Sequence, residues 1–185
     1  MGALRQRLSW TADGALHDGP RRYLMMRTDV LMGTLLRLPP AAQADWLQAW
    51  AASTQQHGAA SLQAYAAMPG GDVGTLADST VQAAADLGWG RWTIEPLGNG
   101  LQLQVHGSPF VQGWRTAQAS SPVSAQATLR NAPPCSPVCA PISGLFTALA
   151  GMLLQGPVQV TETACAGVQG APHDACTFSA LRVQP

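Results

Sequence analysis

The chain has 185 residues, enough for one domain with a sizeable core. Charged residues make up only 11% of it, against about a quarter in an ordinary soluble domain. Ten arginines balance ten acidic residues and lysine is absent, which excludes lysine Schiff-base chemistry and a P-loop and leaves no basic field for nucleic acid.

No stretch reaches the roughly 18 apolar residues of a membrane-spanning helix. The start, "MGALRQRLSWTADG", has arginines with no apolar run behind them, so no secretory signal is expected, and no Ser or Thr favours myristoylation. A cytoplasmic protein with no membrane contact is expected. There, four cysteines point to metal or free thiols more than to disulfides.

In chain order, "LHDGPRRYLMM" (16–26) turns at Asp18-Gly19-Pro20 and runs into an apolar strand. The spacing of Val30, Leu31, Leu35 and Leu38 predicts a helix over 27–38, capped by Thr28 or Asp29. Pro39-Pro40 separates it from a long helix over 41–68, which Gly58 is placed to bend or split. Trp46 and Trp50 stand one turn apart on it, in the core or at a dimer interface. A third helix over 73–87 ends at Gly88 as a C-cap.

The period then changes to two. "GRWTIEPLGNGLQLQVHG" (90–107) predicts a hairpin turning at Gly98-Asn99-Gly100. Residues 115–137 hold few bulky apolar groups and are expected to form a loop or lid. In 139–156, Ile142, Leu145, Phe146, Leu149, Met152 and Leu153 form one helical stripe, with Gly144, Ala148 and Gly151 on a small-residue face for close packing. Two alternating segments, 157–163 and 176–183, close the chain as strands. Helices packed on an antiparallel sheet, an α+β architecture in a single domain over 1–185, follow from this order.

The last hairpin gathers chemistry. Glu162-x-x-Cys165, ten intervening residues and Cys176 offer three metal ligands; His173, Cys139 and Cys135 are near enough to supply a fourth. Spacing alone leaves a zinc site and two buried thiols beside an exposed glutamate equally open.

"PVC" (137–139), the glycine-containing helix ending in "LQG", and "VQVTETACAGVQGAPHDACTFSA" resemble the 4-vinyl-reductase-type domain. That is the small-molecule sensory domain of phenol- and xylene-responsive bacterial transcription activators, found also in a protein associated with bacteriochlorophyll synthesis. The resemblance is specific over 137–183 and looser from 21 to 110. It implies a fold like that of haem-based gas sensors and a vesicle-tethering subunit, with a hydrophobic cavity between helices and sheet. It also implies a homodimer and a structural zinc ion on Cys139, Glu162, Cys165 and Cys176, with His173 as the alternate ligand. The zinc would staple the core over 137–183.

Two departures stand out. The loop between Cys165 and Cys176 is longer than in the aromatic sensors. Their phenol-binding histidine has no counterpart in "AAADLGWG" (83–90), and His106 stands where they carry a tryptophan. A pocket for a different ligand is expected, with Trp89, Trp92, His106, Phe110 and Trp114 as lining candidates.

No Ser-His-Asp order or glycine-rich nucleotide loop is visible, and a zinc ion with four protein ligands has no open position, so catalysis is not expected. The expected function is binding or sensing of a small hydrophobic or aromatic molecule. No output domain is visible, so the signal is expected to pass to a protein partner. An accessory or catalytic role in tetrapyrrole metabolism and a purely structural interaction subunit are the alternatives.

Overall fold

The computed structural model describes residues 4–67, 72–120, 137–167 and 174–183. Cys135 and His173, and most of the expected loop over 115–137, lie outside them. The described chain begins with α1 (Leu4–Arg7) and a small sheet of β1 (Ser9–Trp10), β2 (Leu16–Asp18) and β3 (Arg21–Tyr23), antiparallel in that order. β3 is shorter than the apolar run suggests: Leu24, Met25 and Met26 follow it fully or largely exposed. This sheet is fastened to the helices by Arg7, whose guanidinium forks onto Asp18 at 3.1 and 3.2 Å and lies 5.2 Å over the Tyr65 ring.

Helix α2 (Thr28–Leu36) forms where helical spacing predicts it, but without the expected side-chain cap. Asp29 instead pairs with Arg27 and accepts the Val30 N–H. Its buried face is Met32 and Leu35, while Val30 faces outward. Helix α3 (Pro40–Ala66) runs unbroken through Gly58, because the glycine sits under Leu145 and serves packing rather than a bend. Helix α4 (Val73–Asp86) starts with a reciprocal cap: Asp72 accepts the Thr75 N–H at 2.6 Å, and Thr75 Oγ1 accepts the Asp72 N–H at 3.1 Å.

The period-two segment becomes β4 (Arg91–Leu97) and β5 (Gly100–His106), joined by a two-residue turn at Gly98 and Asn99. Gly98 has φ 55°, the left-handed conformation such turns demand. Residues 109–119 form α5 (Pro109–Ala119), with Phe110, Val111 and Trp114 buried, so that 115–119, the start of the expected loop, are helical instead. A proline at its first position and only three bulky apolar groups in 11 residues disguise it. Helix α6 (Ala140–Leu153) precedes β6 (Val158–Ala164) and β7 (Ala175–Arg182).

The main sheet is open and antiparallel, in the order β4-β5-β7-β6. Alternation puts Trp92, Leu103, Val105, Cys176, Phe178 and Ala180 on the face toward the helices, all buried. α6 lies against this face, and α3 packs most extensively on α6. That contact depends on Gly144: a Cβ there would collide with the Ala51 carbonyl of α3. The α+β architecture expected of the sequence is the one observed, and among the described residues no helix is long and apolar enough to cross a membrane.

Candidate metal centre

Four of the predicted ligands meet under the last hairpin. The Sγ atoms of Cys139, Cys165 and Cys176 and a carboxylate oxygen of Glu162 all lie within 4.8 Å of one another. Cys139 Sγ is 3.5 Å from Cys176 Sγ, which is 4.0 Å from Cys165 Sγ. Tetrahedral zinc with Zn–S bonds of about 2.3 Å holds sulfurs about 3.8 Å apart, between these two values.

Each ligand arrives by a different local device. Cys139 is the N-cap of α6, with φ −88° and ψ 28°, and its carbonyl accepts the Ile142 and Ser143 N–H groups. The positive end of the helix therefore adjoins a sulfur that metal would hold as thiolate. Cys176 projects from β7 on the inner face, opposite Val105 of β5. Glu162 and Cys165 are three residues apart, a spacing that puts side chains on opposite faces of a regular strand. A register shift between Glu162 and Ala164, just before β6 ends, re-aims the chain so that both reach the cluster.

The electrostatics favour a cation. Burial, together with the neighbouring Cys165 sulfur, pushes the Glu162 carboxyl up to about 9. Hydrogen bonding to Cys165 and Cys176, then burial, raises the Cys139 thiol well above its ordinary range. Cys176 is drawn down by Cys139, but donation to Cys165 and burial outweigh this and carry it to about 12. Cys165, which receives these hydrogen bonds, is lowered. Without a cation, burial thus penalises the charged form at Glu162, Cys139 and Cys176. A buried Glu162 Oε1 with no hydrogen-bond partner among the described residues is the sharpest sign that the set is incomplete by itself. Three thiols and a carboxylate suit borderline-soft Zn²⁺, and the residues present fit it.

The pocket candidates divide. Phe110 is buried, edge-on to Trp50 at 5.3 Å and to Trp89 at 5.5 Å; Trp46 stands 4.5 Å from Trp50. This aromatic layer links α3, the entry to β4 and the start of α5. Trp92 is buried on the inner sheet face and donates its indole N–H to the Trp89 carbonyl at 3.1 Å. Trp114 is buried, and its indole N–H has no hydrogen-bond partner among the described residues. His106 follows Val105 in β5 and by alternation lies on the opposite, outer face, away from the aromatic layer. Sequence reasoning gave Trp50 only a core or interface role and missed Ser108, whose hydroxyl lies 3.1 Å from Cys139 Sγ. Neither has a distinguishing sequence pattern.

An open four-stranded antiparallel sheet covered on one face by helices, with a thiol–carboxylate cluster where the last hairpin meets a helix start, defines the class of architecture. The same fold occurs in the phenol-responsive sensory domain of the transcription activator PoxR, solved with phenol: TM-score 0.71, 15% identity, 96% of this chain and 85% of that one. A vinyl-4-reductase family protein from Methanocaldococcus jannaschii aligns over 87% of this chain and 98% of its own, at 12% identity and a TM-score of 0.45. No family model matches the chain, and no curated protein does.

Proposed function

We propose that this chain is a small-molecule-binding domain of the sensory type, with a structural zinc ion on Cys139, Glu162, Cys165 and Cys176. The observation that carries the metal reading is the convergence of three thiol sulfurs and a carboxylate oxygen, on a glutamate whose Oε1 is buried and has no hydrogen-bond partner among the described residues. All four coordination positions would belong to the protein. Such a site leaves no place for substrate or water, so its role is to hold β6, β7 and α6 together rather than to react.

The ligand reading is supported by the fold shared with a phenol-responsive domain and by the layer of Trp50, Trp89 and Phe110. The unpartnered Trp114 N–H asks for a hydrogen-bond acceptor, which a small aromatic or hydrophobic molecule with one oxygen would supply. His106 on the outer face argues for a ligand held differently from phenol in the sensors. A cytoplasmic homodimer that passes the signal to a protein partner completes the proposal.

Native mass spectrometry tests it. The expected result is one zinc per chain, a dimer, and a mass increment from retained ligand or from added phenol. Metal-free protein from a preparation without chelators overturns the zinc assignment. No increment with phenol, substituted phenols or benzene overturns the ligand assignment.

A further inference from the structure

Ser108 occupies the N-cap position of α5, where a serine side chain ordinarily accepts a backbone N–H of its own helix. Here it makes no such bond. It is buried, with 5% of its surface exposed, and its hydroxyl instead lies 3.1 Å from Cys139 Sγ, across 31 residues of chain. A residue type suited to capping has given up its cap for a sulfur.

We propose that Ser108 is a positioning residue for the metal centre: its hydroxyl donates to the Cys139 thiolate, orients that ligand and offsets its charge. The proposal rests on the zinc reading above. Three thiolates and a carboxylate around a divalent cation leave two surplus negative charges in a buried pocket, and such a site needs hydrogen-bond donors around it. Two such contacts lie outside the cluster itself: the Ala166 N–H reaches Cys176 Sγ at 3.4 Å, and the Ser108 hydroxyl lies 3.1 Å from Cys139 Sγ. The first donor is a backbone group; Ser108 is a side chain, which a substitution removes without touching the backbone.

The bond also joins two parts of the molecule. Phe110, two residues on, lies against Trp50 and Trp89. Farther along α5, the Arg115 guanidinium donates to the carbonyl of Ala166, next to Cys165. The helix that carries Phe110 and Trp114 is therefore tied to the cluster twice, from Ser108 to Cys139 and from Arg115 to the residue after Cys165.

The test uses the full chain, loaded with Zn²⁺ or with Co²⁺ as a coloured substitute. Ser108→Ala and Ser108→Gly both remove the hydroxyl, glycine remaining a competent N-cap; Ser108→Thr keeps it. Loss of this outer hydrogen bond is expected to weaken zinc binding by about 10–100-fold in the alanine and glycine variants and to speed release to a chelator. The thiolate-to-cobalt charge-transfer bands should shift in both, while the threonine variant stays with the parent. A purely structural serine would move the melting point of the metal-free protein and leave the cobalt spectrum alone. Equal release rates and unshifted spectra in the alanine and glycine variants overturn the role of Ser108 while the zinc site stands. Failure of the parent chain to bind either metal overturns both.

Discussion

Cys139 and Cys176 stand 37 residues apart in the chain, yet their sulfurs are 3.5 Å apart, joining the first turn of α6 to a central strand of the sheet. Their backbones belong to elements that pack through apolar side chains elsewhere, so whatever bridges the sulfurs acts as a clamp across the two layers. Replacing Cys165 or Cys176 by serine removes one arm of that clamp. Zinc content is expected to fall from one per chain toward none. A loss of about 3 kcal/mol of metal-linked stability would lower Tm by roughly 6–12 °C at this chain length. Metal analysis and thermal unfolding on the same samples check this, and an unchanged pair of values refutes the clamp.

Protons and metal compete for the same four groups. With Glu162 raised to about 9, the metal-free fold holds a neutral carboxyl that the unfolded chain ionises near its ordinary value. The folded state then binds the extra proton. Its contribution to stability is complete below the unfolded value and declines as pH rises from about 4.5 to 9. Metal reverses the sign, because binding expels protons and strengthens with pH. The lowered Cys165 thiol acts in the opposite sense, its contribution growing with pH over the range in which that of Glu162 declines, so the metal-free curve is expected to stay nearly flat between pH 5 and 9 while zinc-loaded protein gains. Glu162→Gln removes the declining part, and the metal-free protein should then gain stability as pH rises. Parallel curves with and without zinc would count against the assignment.

The thiol–carboxylate cluster was legible because its members flank one hairpin and the spacing survives in one dimension. Glu162, Cys165 and Cys176 lie within 15 residues, and only Cys139 comes from outside the hairpin. The strand "LQLQVH" was equally open to reading, since each inward residue alternates with an outward one. The same alternation turns His106 away from the aromatic layer, a consequence easily overlooked when residues are chosen by type. Helix α5 was hidden for another reason: its buried residues Phe110, Val111 and Trp114 cover one short stripe beside a run of Thr, Ala, Gln and Ser. Val30 shared the helical spacing of α2 but not its buried face, because packing against α5 selects Met32 and Leu35. Ser108 could not be read at all, since its partner is 31 residues away.

The contact between α3 and α6 supplies a paired test of close packing. At Gly144 any side chain meets the Ala51 carbonyl, and backbone cannot step aside as a flexible side chain can. Gly144→Ala should destabilise by about 1–3 kcal/mol despite the better helix propensity of alanine. At Gly151, on the same helix, an added methyl would come no closer than 3.5 Å to the Gly156 carbonyl, an ordinary contact. Gly151→Ala should be neutral or stabilising by up to about 1 kcal/mol. Denaturant unfolding of the two variants should give opposite or clearly unequal shifts; equal losses would mean that helix propensity and spacing do not govern this interface.

Two arginine–aspartate pairs separate burial from mere proximity. Arg27 and Asp29 pair at 2.5 Å, but the Arg27 side chain is 78% exposed and water competes for both groups. Arg7 and Asp18 pair at 3.1 Å with Asp18 only 6% exposed, and the Arg7 guanidinium also lies over the Tyr65 ring. Removing Arg7 leaves a buried carboxylate without its main cation and strips the ring of a stacking partner. Removing Arg27 leaves Asp29 accepting the Val30 N–H in solvent. Arg7→Ala is therefore expected to cost about 2–3 kcal/mol, discounted for the partial exposure of Arg7, and Arg27→Ala much less. The loss at Arg7 should concentrate in the first sheet, where hydrogen exchange of the β2 amides would accelerate well before those of β5. Uniform acceleration across both sheets would place the Arg7 contribution in the whole fold rather than in the attachment of β1, β2 and β3 to α3.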